Sequence, residues 1–154
     1  MSTRRFPQGS KPVAAVIAHA RAVIPAPAET VWEVLIRARD WPTWCPDCRW
    51  VDLPSAGIDR LSPGLRFSYR FLGTTTRAHV TAFTPHALLT WEAVGLGLRG
   101  KHTWSLFREG ASCRVETEVA TGALPRAGPK EILGVLKPAV ERWVEQLAVR
   151  VSAR

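Results

Sequence analysis

Six successive segments in the middle of the chain alternate apolar and polar residues with a period of two. They cover residues 48–54, 65–72, 75–83, 87–94, 99–107 and 112–121. Glycine and proline residues separate these segments and the connections are short, so consecutive segments are expected to pair as antiparallel strands. A further alternating stretch at residues 13–24 adds a seventh strand. The pattern therefore predicts one antiparallel sheet with a single apolar face, which another element must cover.

In the C-terminal stretch 129–154 the apolar residues recur with a period of about 3.6, which predicts an amphipathic helix. This helix can cover the apolar face of the sheet. Its apolar stripe consists of Ile132, Leu133, Leu136, Val140, Trp143, Val144, Leu147 and Val151. At about 1.5 Å per residue such a helix would extend roughly 35 Å, enough to lie along the whole sheet. Pro138 lies inside the stripe, where its ring and missing amide predict a kink.

A shorter helical pattern lies between the first strand and the other six. Residues 25–38, "PAPAETVWEVLIRA", place Pro27 where a first helical turn tolerates it. The helix should end before "RDWPTW", because Pro42 disfavours a helical conformation at Trp41, although a further short helical turn can follow. Residues 1–12 predict a mobile N-terminal arm. The remainder, 13–154, is predicted to be a single α+β domain.

Charged residues in the strands indicate which side chains face the covered side of the sheet. Successive side chains in a strand point to opposite faces, so the neighbours of a charged residue turn inward. The inward set predicted in this way is Leu65, Phe67, Tyr69, Phe71, Leu89, Trp91, Ala93, His102, Trp104, Leu106, Cys113, Val115, Thr117 and Val119.

The charge balance favours an ordinary solvated surface over a nucleic-acid interface. Lys and Arg exceed Asp and Glu by 21 to 13, giving a net charge of +8. The basic residues are scattered along the sequence, and no aromatic-basic motif of the kind that stacks bases is present. No apolar run approaches the roughly 18 residues that a membrane-spanning helix needs. Three cysteines, an odd and low number, favour a reducing cytoplasm over a disulfide framework.

Cys45 and Cys48 form a C-x-x-C pair within "WPTWCPDCRW". Such a pair can ligate zinc or carry redox chemistry. A closed zinc site needs four ligands, and the sequence offers no second C-x-x-C or H-x-x-H pair. A thioredoxin-like pair would start a helix in a parallel α/β unit, whereas this one follows a helix and precedes an antiparallel strand. A metal or redox module therefore remains only a weak alternative.

Several stretches, in order, resemble the START/Bet v 1-like (SRPBCC) superfamily, in its polyketide cyclase/dehydrase and lipid-transport branch. They are "VIPAPAETVWEVLIRARDWPTW", "PGLRF", "AHVTAFTPHALLTWEA", "GKHTW" and "CRVETEVATG", ahead of the C-terminal amphipathic stretch. The resemblance implies a helix-grip fold, in which the seven-stranded sheet wraps the long helix around an apolar cavity that holds lipids, polyketides or other hydrophobic molecules. The sequence departs from the plant allergens of the superfamily at "SAGIDRLSPG", which lacks their glycine-rich loop. No residue set matches a catalytic signature.

The resemblance and the inward set together predict the residues that line the cavity. "DWPTW" would close one end of it. The expected lining is Trp41, Trp44, Phe67, Tyr69, Phe71, Trp91, His102, Trp104, Cys113, Thr117, Leu136, Val140 and Trp143. His102 and Tyr69 are the candidates for proton transfer, although a lone histidine in a strand more often hydrogen-bonds a neighbour. The tryptophans can equally fill a closed core.

Three functions follow from these observations. The first is binding of a small hydrophobic, lipid- or polyketide-like molecule without a cofactor. The second is a polyketide cyclase or dehydratase that uses His102 and Tyr69. The third is the metal or redox module at Cys45 and Cys48. The sequence does not identify the ligand or the oligomeric state.

Overall fold

A computed structural model describes residues 16–95, 97–122 and 128–153. The seven strands are β1 (Val16–Ile24), β2 (Cys48–Asp52), β3 (Arg66–Phe71), β4 (Thr74–Thr84), β5 (Leu88–Gly95), β6 (Leu98–Glu109) and β7 (Ser112–Thr121). The helices are α1 (Ala28–Ile36), α2 (Trp41–Trp44) and α3 (Pro129–Ser152), with a 3-10 turn at Ala38–Asp40. The arm predicted at residues 1–12 lies outside the described residues, as do residues 13–15 of the predicted domain.

The strands form one antiparallel sheet in the order β1-β7-β6-β5-β4-β3-β2. Every strand from β2 to β6 pairs with its successor in the chain, as predicted for consecutive alternating segments. β1 is an edge strand, and it pairs with β7. The pairing register shifts between Cys48 and Trp50 in β2 and between Val80 and Ala82 in β4. The predicted α+β helix-grip architecture is confirmed.

Helices α1 and α2 form where the sequence predicts a helix and a further short turn. Val31, Trp32 and Leu35 are among the residues that α1 buries. Trp41 is helical, with φ of −49° and ψ of −43°, so the expectation that Pro42 disfavours this conformation there was wrong. Pro42 is tolerated because the first turn of α2 needs no hydrogen bond from it. The indole of Trp41 donates to the carbonyl oxygen of Leu35 at 2.8 Å. This bond satisfies a carbonyl in the last turn of α1 that has no partner further along the helix.

Helix α3 is buried in its second half and largely uncovered in its first. Its buried residues all follow Pro138, and they are Ala139, Val140, Trp143, Val144, Leu147 and Val151. In the first half, Ile132 and Leu136 are only half-buried and Val135 is 55% exposed. The apolar stripe is therefore as long as predicted, but the sheet and helices cover only part of it. No helix in the described ranges is long and apolar enough to cross a bilayer.

One tryptophan from each of four elements meets at the centre of the protein. Trp41 of α2, Trp91 of β5, Trp104 of β6 and Trp143 of α3 are all fully buried. Ring centroids of Trp143 and Trp41 are 5.3 Å apart, and those of Trp143 and Trp104 are 5.6 Å apart. These are the separations of favourable edge-to-face and tilted aromatic pairs. This cluster, called the tryptophan cluster below, fixes α2 and α3 on the inner face of the sheet.

The four indoles differ in their hydrogen bonding. Trp41 donates to Leu35, and Trp91 donates to the hydroxyl oxygen of Tyr69 at 3.1 Å. The indole Nε1 atoms of Trp104 and Trp143 are buried and have no partner among the described residues. Burying an unpaired donor costs free energy, so these two indoles contribute through packing alone.

We expect Trp41→Phe to destabilise the protein by about 1–3 kcal/mol more than Trp143→Phe. Both changes remove similar volume from the tryptophan cluster, but only the first leaves the Leu35 carbonyl without its donor. Urea denaturation followed by circular dichroism would measure both free energies of unfolding. Equal losses would contradict the prediction, because they would mean that the Leu35 bond contributes nothing.

Candidate functional site

The inner face of the sheet carries large side chains at one end and small ones at the other. The large ones, including Leu89, Trp91 and Trp104, pack in the core. Toward the other end the inward positions of the same and neighbouring strands hold smaller residues: Thr76, Ala93, Gly95, Gly100, Val119 and Thr121. Because small side chains cannot reach the helix, a space remains between the sheet and the start of α3.

This space is an apolar pocket of about 400 Å³. The sheet forms one wall, and Ile132, Val135 and Leu136 of α3 form the other. Tyr69 and His102 form its boundary with the tryptophan cluster, since both also pack against Trp91 and Trp143. The pocket therefore occupies the open end of the helix-grip fold, and the tryptophan cluster occupies the closed end.

His102 is the buried polar residue between pocket and core. Its Nε2 lies 2.9 Å from the hydroxyl oxygen of Thr117, and that hydroxyl lies 3.0 Å from the carbonyl oxygen of Thr103. A hydroxyl has one proton, and a carbonyl can only accept it, so Thr117 donates to Thr103. His102 must then donate its Nε2 proton to Thr117. This arrangement fixes the neutral tautomer with the proton on Nε2.

Burial determines the charge of both candidate proton-transfer groups. Loss of solvation lowers the pKa of His102 from 6.5 to about 3, so the imidazole is neutral at physiological pH. Burial likewise raises the pKa of Tyr69 above its usual value, so the phenol keeps its proton. The Tyr69 oxygen already accepts the Trp91 indole proton. Both groups therefore face the pocket in their uncharged forms.

The structure brings four of the thirteen predicted lining residues to the pocket: Tyr69, Phe71, His102 and Leu136. The others are buried elsewhere, and they are Trp41, Trp44, Phe67, Trp91, Trp104, Cys113, Thr117, Val140 and Trp143. Trp44 lies beside a separate concavity at the opposite end of α3, together with Arg37 and Arg150. Inward orientation was predicted correctly for these strand residues, but bulky indoles fill the space that was expected to hold a ligand. Their role in ligand contact stays a prediction.

The small residues that create the pocket were not among the predicted site residues. Ala93 and Val119 were assigned to the inner face, yet neither was assigned to the site. Gly95 and Gly100 line the pocket without filling it. The available signal was the size of successive inward residues, which falls along β5 from Trp91 to Ala93 to Gly95. Aromatic and polar side chains form the walls of a cavity, whereas small inward residues leave the space between them.

The C-x-x-C pair is buried beside α2 and not at the pocket. Cys45 and Cys48 are free thiols, each about 1% exposed. Burial raises the pKa of Cys45 to about 12 and raises that of Cys48 as well, so neither is a thiolate at neutral pH. Within the ranges that the structure describes, no group of three or more His, Cys, Asp or Glu could hold a metal ion. A metal or redox role thus gains no support from this geometry.

Comparison with known proteins places the chain in a family. The family model described as "Polyketide cyclase / dehydrase and lipid transport" matches residues 15–153, nearly the whole chain. The protein therefore belongs to this family, the branch that the sequence resembles. A search of curated proteins found no match.

Solved structures share the fold at low sequence identity. A hypothetical protein from Helicobacter pylori is 15% identical, with a TM-score of 0.78 over 98% of this chain and 97% of that chain. A START superfamily protein from Mycobacterium smegmatis is 17% identical, with a TM-score of 0.73 over 89% and 97%. Ara h 8.0201 is 12% identical, with a TM-score of 0.71 over 92% and 100%. These similarities confirm the START/Bet v 1 helix-grip fold.

The low pKa of His102 predicts that acid destabilises the protein through this residue. The unfolded chain binds the proton below about pH 6.5, whereas the folded protein binds it only near pH 3. Neutral His102 therefore contributes stability that is complete above about pH 6.5 and is lost as pH falls toward 3, at up to about 1.4 kcal/mol per pH unit. Urea denaturation between about pH 7 and pH 5 should show a shallower pH slope for His102→Gln than for the wild type. Parallel slopes would contradict the assignment of a neutral, buried imidazole.

Proposed function

We propose that the protein binds one small, mostly apolar molecule in the pocket between the sheet and the start of α3. The observation that carries this proposal is the pocket itself. Its volume of about 400 Å³ lies within the range of small-molecule sites, and its walls are largely apolar with few polar groups. Membership of a family described by lipid transport and polyketide chemistry supports the same class of ligand.

The pocket also limits what the ligand can be. The tryptophan cluster is packed, with neighbouring ring centroids such as those of Trp41 and Trp91 only 5.4 Å apart. A ligand therefore extends from the open end as far as Tyr69 and His102 and no further. A compact ring system or a short acyl chain satisfies this limit better than a long lipid chain. A reducing, cytoplasmic location belongs to the same proposal, supported by three cysteines that are all free.

Filling the pocket should abolish ligand binding. Val119→Phe and Leu136→Phe add bulk from opposite walls, and each should weaken binding of the hydrophobic dye 1-anilinonaphthalene-8-sulfonate at least about tenfold by excluding it. Val23→Phe is the matched control, because Val23 lies on the outer face of β1 and is 57% exposed. Fluorescence titration of the three variants gives the dissociation constants. Organic extraction and mass spectrometry of the purified wild type would then identify any natural ligand.

Two outcomes would contradict ligand binding in this pocket. One is unchanged dye affinity in both pocket variants, provided that circular dichroism shows them folded. The other is an equal loss of affinity in Val23→Phe, which would place the dye elsewhere on the surface.

A second candidate function is catalysis of cyclisation or dehydration on a polyketide-like substrate. It is supported by the family description and by the presence of His102 and Tyr69 on one pocket. A general base works best when its pKa is near the operating pH, and the low pKa of His102 makes its imidazole a weak base. His102 and Tyr69 are therefore better suited to orienting a bound molecule through hydrogen bonds than to exchanging protons with it.

Substitution of His102 separates the two functions. If the protein only binds, His102→Gln should lower the affinity for an extracted ligand by less than about tenfold, the range of one lost hydrogen bond, and the ligand should be recovered chemically unchanged. If the protein is an enzyme, incubation with the wild type should convert the ligand and His102→Gln should slow that conversion. Chromatography with mass detection distinguishes the outcomes.

A further inference from the structure

Apolar side chains project at the end of the domain where the pocket opens. Leu72 lies in the turn between β3 and β4, and Leu98 begins β6. Both line the pocket and are only half-buried, and Val135 of α3 is 55% exposed. These three residues, called the mouth rim below, surround the opening from the sheet side and from the helix side.

Leu72 keeps its place in the mouth rim in spite of an unfavourable backbone. Its φ of 53° and the φ of 75° at Gly73 are those of a two-residue hairpin turn. Asn, Asp or Gly normally occupies the first of these positions, because a bulky side chain is strained at positive φ. Strain retained at one residue motivates a functional hypothesis for that residue. Here it keeps a half-buried leucine at a turn where a polar residue would be less strained.

Cations lie directly behind the mouth rim on the outer face of the sheet. Arg70 and Arg99 are each within two residues of a hairpin turn, which is about 7 Å along a strand. Arg77 and Lys101 continue the same face, and Lys130 lies in the first turn of α3. None of these five forms an ion pair within the described parts of the chain.

Several cations cluster beside the mouth rim, although other cations without an ion pair among the described residues, such as Arg21, Arg49 and Arg66, lie elsewhere. Glu92 pairs in register with Lys101, and Glu131 follows Lys130. Asp52 borders the same outer concavity as Arg77 and Arg99, so three carboxylates accompany the five cations. In the β1–β7 half, by contrast, Arg114 forms ion pairs with Glu109 and Glu116. The five cations beside the mouth rim thus outnumber the carboxylates around them.

We propose that this end of the domain docks on an anionic phospholipid bilayer. The mouth rim enters the interface between headgroups and acyl chains, while Arg70, Arg99 and Lys130 contact the lipid phosphates. An apolar tip flanked by basic residues is the arrangement that binds membrane surfaces, because apolar burial and attraction to anionic lipid add together. A nucleic acid fits this surface less well, because it would leave the leucines and Val135 in water.

The docking surface does not depend on the proposed ligand, but its purpose does. A pocket that opens toward the bilayer lets an apolar molecule pass between membrane and protein without crossing water. That role rests on the proposed ligand binding in the pocket. Docking is therefore tested on protein without added ligand, and ligand binding is tested without vesicles, so failure of one leaves the other measurable.

A fluorescent label tests whether the mouth rim enters the membrane. All three native cysteines are buried, so Val135→Cys provides a selectively reactive site for an environment-sensitive nitrobenzoxadiazole label. Val149→Cys is the matched control, since Val149 is 59% exposed on the same helix at its other end. Vesicles of phosphatidylcholine containing phosphatidylglycerol should shift the emission of the label at position 135 to the blue and leave that at position 149 unchanged.

Charge reversal tests the contribution of the cations. Arg70→Glu with Arg99→Glu should weaken vesicle sedimentation at least about tenfold, because four units of charge change next to the lipid surface. Arg21→Glu with Arg150→Glu changes the same charge elsewhere in the domain and should alter binding by less than about twofold. Neither Arg70 nor Arg99 lines the pocket, so affinity for the uncharged dye N-phenyl-1-naphthylamine should stay unchanged in the first pair.

Several results would overturn the docking proposal. They are equal emission shifts at positions 135 and 149, equal binding to vesicles of phosphatidylcholine alone, or equal losses in the two charge-reversal pairs. Binding of single-stranded DNA through Arg70 and Arg99, with no vesicle binding, would also overturn it and identify the basic face as a nucleic-acid surface.

Discussion

Packing of Trp143 against the inner face of the sheet is the contact on which the rest of the structure depends. This one side chain of α3 has ring centroids 5.0–6.5 Å from those of His102, Phe71, Trp41, Trp104, Trp91 and Tyr69. The contacts reach three strands and α2. Because protein interiors are close-packed, a side chain of this size determines where the helix lies on the sheet. It also fills the space that a ligand would otherwise occupy at this end. The position of the pocket follows from the position of this cluster.

The helix-grip fold is consequently filled at one end and hollow at the other. Tyr69 and His102 form the floor of the pocket, and each ring is held by neighbouring rings and by a hydrogen bond. The opposite wall is different, because the first half of α3 buries little. Regions with few buried contacts open at low free-energy cost. The proposed ligand would therefore enter beside Val135 and not beside Trp143.

The sequence predicted the fold well because periodicity is a property of the backbone, and every strand and helix follows it. Parity also predicted correctly that Tyr69 and His102 face inward. It could not predict the extent of the cavity, because parity gives the direction of a side chain and not whether its neighbours leave room beyond it. Trp91 and Ala93 have the same parity in β5, yet one fills the core and the other borders empty space. Whether a cavity forms depends on the combined side-chain volume at neighbouring inward positions of several strands.

The clustering of cations on the outer face could not be predicted from the sequence either. Arg70, Arg77 and Arg99 are separated along the sequence and resemble isolated solvated charges there. The sheet brings them together, because Arg77 and Arg99 both pair with Val94 on adjacent strands, and β3 places Arg70 opposite Thr75. Arg70 and Arg77 are diagonal neighbours on adjacent strands, where like charges raise each other's free energy. The fold gathers these cations beside the half-buried leucines of the mouth rim, and the proposed docking on an anionic surface would offset their mutual repulsion.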